Sequence, residues 1–181
     1  MPMTLTRSLL TILIPGLVAV SPWLLALVQN TSATLGFDKY PSLANALLFA
    51  LVAVIGSVVE GFGTVLEARW DREREAEYSV KENWFSYLAH QFDKEPVGYR
   101  YISRLVTALY FELSMLLAVP LFLIGGCVLA SLRFTDYWCI FAVTTAFAVA
   151  VATYYLRWQA RCTHKALCET RRELNSRWTV V

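Results

Sequence analysis

Two glutamates, Glu60 and Glu112, lie within long apolar segments of this sequence. A charged side chain inside a bilayer is costly, so such residues usually face a bundle interior or water. Arg69 and Arg104 mark the predicted membrane boundary. At 1.5 Å per residue both glutamates lie about 12 Å from that boundary inside the membrane, so we expect them at the same depth. Intramembrane carboxylates of this kind can do acid–base chemistry, or they can attract cations in a water-filled path.

Glu60 belongs to a polar stripe on one face of the predicted helix. The stripe runs through Ser57, Glu60, Thr64 and Glu67, continues to Asp71 and Arg74, and is flanked by Gly56, Gly61 and Gly63. Small residues let helix backbones approach closely. In a symmetric oligomer the first four residues would line a pore, with Glu60 as an acidic ring and Glu112 as its acid partner. The alternatives are an internal polar seam, or a buried Glu60 that is protonated or hydrogen-bonded.

Basic and aromatic residues recur outside the apolar segments, where a ligand or partner could bind. The candidates are Arg100, Arg104, Arg157, Arg161, Lys165, Arg171, Arg172, Trp84, Tyr99 and Tyr101. Arginine forks with stacking rings suit a nucleotide or short oligonucleotide, and a cytoplasmic protein is another candidate partner. The alternative is ordinary cytoplasmic charge with interfacial aromatic anchors.

Cys162, His164 and Cys168 superficially resemble a metal cluster. His164 and Cys168 share a helical face, but Cys162 lies about 200° from His164 at 100° per residue. Since a fourth ligand is also missing, we expect no metal and no cofactor. The sequence has no G-x-S-x-G, H-E-x-x-H, P-loop or G-x-G-x-x-G motif, so we predict no enzyme activity.

The composition indicates that helices in a membrane position these residues. Of 181 residues, 57% are hydrophobic and 17% charged, against about 45–50% and 25% in soluble domains. Four segments are apolar: Ser8–Val28, Leu43–Leu66, Leu105–Ser131 and Tyr137–Leu156. Each is long enough to cross the hydrocarbon core of about 30 Å as a helix. The first is too long for a typical signal peptide. The predicted fold is an all-α, polytopic membrane protein with four transmembrane helices.

The basic residues set the predicted orientation. Fourteen of the sixteen lysines and arginines precede the first segment, lie between the second and third, or follow the fourth. By the positive-inside rule both termini and the central segment are cytoplasmic. The predicted parts are a first transmembrane hairpin at 1–66, a cytoplasmic helical segment at 67–104, a second hairpin at 105–156 and a cytoplasmic helix at 157–181. The predicted location is the bacterial inner membrane.

The cytoplasmic parts are predicted to form a short helical bundle. No breaker follows Glu67, so the second transmembrane helix is expected to project into the cytoplasm. Ser79 and Glu82 form a capping box that would begin a separate amphipathic helix, which ends near Lys94. The C-terminal segment is expected to be helical as well.

This layout resembles the small four-span effector or sensor subunits of bacterial anti-phage defence systems. The resemblance rests on size, cytoplasmic termini, a short basic and aromatic bundle and the absence of a catalytic motif. It implies a homo-oligomer gated or recruited from the cytoplasm, and we expect a tetramer. The leading hypothesis is an oligomeric protein that conducts ions or permeabilises the membrane. The alternatives are a non-conducting sensor or scaffold that recruits a soluble partner, and an intramembrane enzyme that uses Glu60 and Glu112.

Overall fold

The computed structural model describes residues 9–31, 41–89 and 97–178, and its regular structure is helical in all three ranges. A π-helical turn, Leu9–Leu13, leads into α1, Ile14–Thr31. Helix α2 is Pro41–Tyr78 and the short helix α3 is Val80–Ala89. Helix α4 is Val97–Arg133. After a 3₁₀ turn, Thr135–Tyr137, helix α5 is Trp138–Trp178.

Four of these helices are long and apolar enough to cross a membrane, which confirms the prediction of an all-α protein with four candidate spans. Their large apolar side chains are widely exposed, including Phe62 at 62%, Val143 at 70% and Phe147 at 72%. A water-soluble protein would bury most of such surface. The exposure is therefore compatible with a multi-pass membrane protein. The orientation in the bilayer stays a prediction from the basic residues.

Small residues allow the apolar halves of α1, α2 and α4 to pack closely. A Cβ on Gly16 would collide with the carbonyl oxygen of Val52, and one on Gly56 with that of Ile12. Two turns further along the same face of α2, a Cβ on Gly63 would lie 3.0 Å from the Leu113 Cβ. These contacts fix α2 against both neighbours, since backbones approach this closely only at small residues.

Helices α2 and α5 continue well past the apolar segments. They have 38 and 41 residues, so each is about 60 Å long at 1.5 Å per residue, twice the thickness of the hydrocarbon core. Their polar halves join the start of α4 and the short α3 in a bundle that we call the polar end. Its core consists of Trp70, Ile102, Leu109, Leu113, Ala160 and Leu167. The predicted continuation of the second and fourth spans as helices is confirmed.

The turn between α2 and α3 differs from the predicted capping box. Ser79 has φ of 45°, in the left-handed region that favours glycine. The amide of Lys81 donates to the Glu75 carboxylate, at 3.2 Å from Oε2, and the Asn83 side chain donates to the Tyr78 carbonyl oxygen at 2.6 Å. Groups on both sides of the turn therefore satisfy the polar groups of the junction, and α3 folds back beside α2.

Candidate functional site

A buried histidine joins the two longest helices at the polar end. His164 of α5 contacts Asp71 through Nε2 and Oδ1 at 2.8 Å, and Arg74 through Nδ1 and Nη1 at 2.6 Å. Arg74 also donates to the Arg161 carbonyl oxygen at 3.1 Å. Asp71 and Arg74 lie three residues apart on α2, so both side chains reach the same face of α5. His164 is 1% exposed and packs edge-on against the Trp70 ring, 5.8 Å away.

These contacts assign the neutral form of the His164 ring. Burial lowers the pKa of His164, whereas hydrogen bonds to Asp71 and Cys168 raise it, and together these effects raise it to about 9. The Arg74 guanidinium opposes that rise, because it has only donors and needs an unprotonated Nδ1. With Arg74 at 2.6 Å, the ring carries its proton on Nε2 and donates it to Asp71.

Asp71, His164 and Cys168 bring three potential ligand atoms within 4.8 Å of one another. As arranged, they do not surround one point. Asp71 contacts Nε2, whereas Cys168 Sγ lies 3.9 Å from Nδ1, beside the guanidinium of Arg74. One imidazole offers a single nitrogen to a metal, and a cation already contacts the nitrogen nearer to Cys168. Cys162, the third residue of the sequence pattern, is exposed on α5. The chemistry that this group supports is hydrogen bonding between helices.

A cleft of about 300 Å³ opens beside this network, where the apolar segments give way to the polar end. It lies between α2, α3, α4 and α5. Its polar and aromatic lining includes Thr64, Glu67, Lys81, Trp84, Tyr110 and Arg171. Two cations and two acids, counting Asp71, line it together with apolar residues. This combination of a concave site and convergent polar groups is typical of ligand-binding pockets.

Arg171 is the cation at the inner wall of the cleft. It is only 7% exposed, and its Cζ lies 4.3 Å from the centroid of the Trp84 ring. Among the described residues its Nε has no hydrogen-bond partner. Burial lowers the pKa of Arg171, although a guanidinium stays protonated at neutral pH. Asn175, one turn further along α5, donates to the Asn83 carbonyl oxygen at 2.8 Å and so holds α3 in place.

Glu67, the first residue after the apolar part of α2, lies on the wall contributed by α2. Burial raises its pKa, and a hydrogen bond from Tyr110 lowers it, with a net rise. Glu67 was predicted to line a pore with Ser57, Glu60 and Thr64. In the structure it lines the cleft within one protomer, and its place in a pore stays a prediction.

Of the rest of the predicted pore stripe, Thr64 also lines the cleft, whereas Ser57 lies on an uncovered face of α2. Ser57 and Thr64 are exposed, and their hydroxyls donate to the carbonyl oxygens of Ala53 and Gly61 at 2.9 and 2.7 Å. Glu60 is half-buried beside them. A Cβ on Gly61 would meet nothing within 4 Å, so within the described protomer this glycine packs against no other helix.

Glu112 contacts Gln159 in the structure. The Gln159 amide donates to Glu112 Oε1 at 2.9 Å, while Oε2 is buried with no partner among the described residues. Because Gly63 contacts Leu113, Glu112 lies close to the level of Thr64 on α2. Glu60 is four residues further along, so the two acids differ in depth by about 6 Å instead of sharing one layer. Gln159 carries no local sequence signal for this role, because it is a single amide between Trp158 and the basic residues of α5.

The predicted basic and aromatic residues do not form one surface. Arg171 and Trp84 meet in the cleft, whereas Arg172 lies over Tyr78 at 5.3 Å and Arg161 over Trp70 at 5.6 Å. Lys165 pairs with Glu169 at 3.6 Å. Arg104, Arg157 and Tyr101 are exposed elsewhere. Tyr99 and Arg100 belong to the first turn of α4, but their side chains lie outside the described residues.

Comparison with known proteins adds no family to these observations. No protein-family model matches the sequence, and comparisons with curated proteins and with solved structures find no match either.

Proposed function

We propose that this protein assembles as a homo-oligomer in the bacterial inner membrane and conducts ions or permeabilises the bilayer under control of its polar end. The observation that carries this proposal is the uncovered face of α2, where Ser57 and Gly61 are exposed within an otherwise apolar segment. Such a face has two uses in a membrane, close contact with another helix or contact with water.

An oligomer gives this face a role that one protomer does not. The exposed hydroxyls already bond to backbone carbonyl oxygens, so they tolerate either lipid or a second helix. Repetition of α2 around a symmetry axis would bring Glu60 from every copy to one level. A ring of carboxylates attracts cations and repels anions. We therefore assign cation preference to Glu60 and retain a tetramer as the expected assembly.

The polar end supports control from the cytoplasmic side. Helix α2 runs without a break from the uncovered face to the Asp71 and Arg74 contacts with α5. A partner or ligand at the polar end would act on the same helix that lines the path. This is the arrangement that the resemblance to defence effectors implies, and anti-phage defence is the biological role that we propose.

A non-conducting sensor or scaffold is the second candidate. It is favoured by the cleft and by the exposed cations Arg104 and Arg157, which offer binding surfaces that conduction does not need. An intramembrane enzyme is less well supported, because Glu60 and Glu112 lie at different depths and Glu112 contacts Gln159.

Cysteine accessibility, followed by bilayer recording, tests conduction. In a background with the four native cysteines replaced, Ser57→Cys should react with a membrane-impermeant thiol reagent, and the reaction should reduce the current. Val58→Cys is the matched control, since Val58 is the next residue and is 53% exposed on the apolar side of α2. It should react slowly and leave the current unchanged.

Two results would count against the proposal. Equal protection of both cysteines would place the face against lipid. A purified protein that stays monomeric and carries no current would leave the sensor or scaffold as the better assignment.

A further inference from the structure

The cleft at the polar end is lined by a buried arginine whose Nε has no hydrogen-bond acceptor among the described residues. Arg171 is more than nine-tenths buried, lines the cleft, and has no partner for its Nε among the described residues. Burying a guanidinium is costly unless it is paired and hydrogen-bonded. The Trp84 ring, 4.3 Å from Cζ, provides a cation–π contact on one side. It provides no acceptor for the N–H groups, so the site favours an added anion.

The two acids of the cleft do not fill that role. Asp71 accepts a hydrogen bond from His164 at 2.8 Å. Glu67 bonds to Tyr110 and makes no ion pair within 4 Å with Arg171 among the described residues, although the charges of Glu67 and Asp71 oppose the lowering of the Arg171 pKa by burial. Burial raises the pKa of Glu67, which favours its neutral form beside an incoming anion. The second cation, Lys81, is exposed at the mouth of the cleft.

The position of the cleft indicates which anion meets it. Thr64 and Val106 lie at the ends of two apolar segments, so the cleft is at the level where the hydrocarbon core meets the headgroup region. Basic pockets between helices at this level are known to hold anionic headgroups.

We propose that this cleft binds a phosphoryl anion, either the headgroup of an anionic lipid or the phosphate of a small soluble compound. Arg171 is the buried anchor and Lys81 the cation at the mouth. A guanidinium can donate two parallel hydrogen bonds to phosphate oxygens. The site would be the same whether or not the protein conducts ions, so this proposal goes beyond the proposed function and does not rest on it.

Native mass spectrometry of the full-length protein tests lipid binding. Delipidated protein is titrated with phosphatidylglycerol and, as a neutral reference, with phosphatidylcholine. We expect one tightly retained phosphatidylglycerol for each chain and no equivalent retention of phosphatidylcholine. Arg171→Gln should weaken that retention by about ten- to hundredfold, the loss expected for a charge-assisted hydrogen bond. Calorimetry with inorganic phosphate on the protein in phosphatidylcholine nanodiscs tests the soluble source.

The matched control is Arg172→Gln, which removes a cation one residue away that lies over Tyr78 and outside the cleft. It should bind as the wild type does. If Arg171→Gln does not fold, Lys81→Gln takes its place, because Lys81 is exposed, and should weaken binding by about threefold.

The binding measurements distinguish a lipid headgroup, a soluble phosphate and no specific site. Loss of phosphatidylglycerol in the cleft variants supports a lipid headgroup, and loss of phosphate binding alone supports a soluble phosphate compound. Binding that is equal in the wild type, the cleft variants and Arg172→Gln, or absent from all of them, overturns the proposal.

Discussion

The buried His164 of α5 donates to Asp71 of α2 at 2.8 Å, and the two residues are 93 positions apart in the sequence. Helices α2 and α5 also meet through Arg161, which pairs with Glu73 at 3.7 Å, and through Tyr78, which donates to Glu169 at 3.4 Å. The hydrogen bonds of His164 to Asp71 and Arg74, at 2.8 and 2.6 Å, are the shortest of these contacts. Leaving one of these buried groups unsatisfied is expected to cost about 1–3 kcal/mol.

The first prediction concerns the protonation of His164. In Arg74→Met the donor that faces Nδ1 is gone while Asp71 remains, so the pKa of His164 should be higher in the variant than in the wild type. A folded-state pKa above the unfolded value of about 6.5 gives stability that is complete below that pH and is lost as pH rises through the folded-state pKa. Thermal unfolding in detergent between pH 6 and 9 should show this loss in Arg74→Met and not in the wild type. The double variant Arg74→Met/His164→Asn should abolish it. An identical slope in all three proteins would show that His164 is not its source.

The second prediction separates two glycines of α2. Gly61→Leu places a side chain where nothing lies within 4 Å, so the protomer should keep its fold. If the uncovered face joins protomers, the variant should shift the assembly toward smaller species, measured by size-exclusion chromatography with light scattering. Gly56→Leu should instead destabilise the protomer, because its Cβ would meet the backbone of Ile12. The interface assignment fails if Gly61→Leu assembles as the wild type does.

The third prediction concerns the turn before α3. Ser79 adopts φ of 45°, a conformation that costs a residue other than glycine about 1 kcal/mol. Ser79→Gly should relieve that strain and raise the unfolding temperature in detergent. Ala76→Gly, at an exposed position in α2, should lower stability by about 1 kcal/mol, because it removes only helix propensity. Effects of the same sign for both variants would argue against strain at Ser79.

The fourth prediction compares the two intramembrane acids. Glu60→Gln keeps the volume and removes the charge, so it should leave assembly unchanged and lower cation selectivity in bilayer recordings. Glu112→Gln is the control, since Glu112 is buried against Gln159. It should leave the reversal potential unchanged. Measurements at low and moderate salt add a second criterion, because exposed charges are screened as ionic strength rises. Equal reversal potentials for the wild type and Glu60→Gln would return Glu60 to a structural role.

The helices could be predicted because their signals are local. An unbroken apolar run followed by charged residues without proline predicted that the second span continues past Glu67, and α2 does so to Tyr78. The predicted helix beyond Ser79 is present as α3, but Phe92 and Lys94 lie outside the described residues. The start of α3 was predicted to be capped by Ser79 and Glu82, but the Lys81 amide bonds to Glu75 on the preceding helix, which the local sequence does not indicate.

The His164 contacts and the cleft could not be predicted, because they depend on how the helices pack against one another. His164 and Cys168 were placed on one face by their spacing, yet nothing local joined them to Asp71. That contact requires the register between helices, which close approaches such as Gly63 to Leu113 determine. The register between α2 and α4 also places Glu60 and Glu112 at different depths. Arg171 and Trp84 were among the ten predicted binding residues, but only packing selects them as the pair that shares the cleft.

The unbroken length of α2 has a mechanical consequence. The helix is held near its middle, where Gly56 crosses the first helix, and its polar half is grasped through Asp71 and Arg74. A rigid helix that is fixed near its middle pivots at that point, so its two ends move in opposite directions. A tilt of about 5° would move a point twenty residues from the pivot by about 2.6 Å, since that arm is about 30 Å long. A displacement of the polar end about this point would move the apolar half of α2 in the opposite direction, and α2 needs no internal hinge to transmit it.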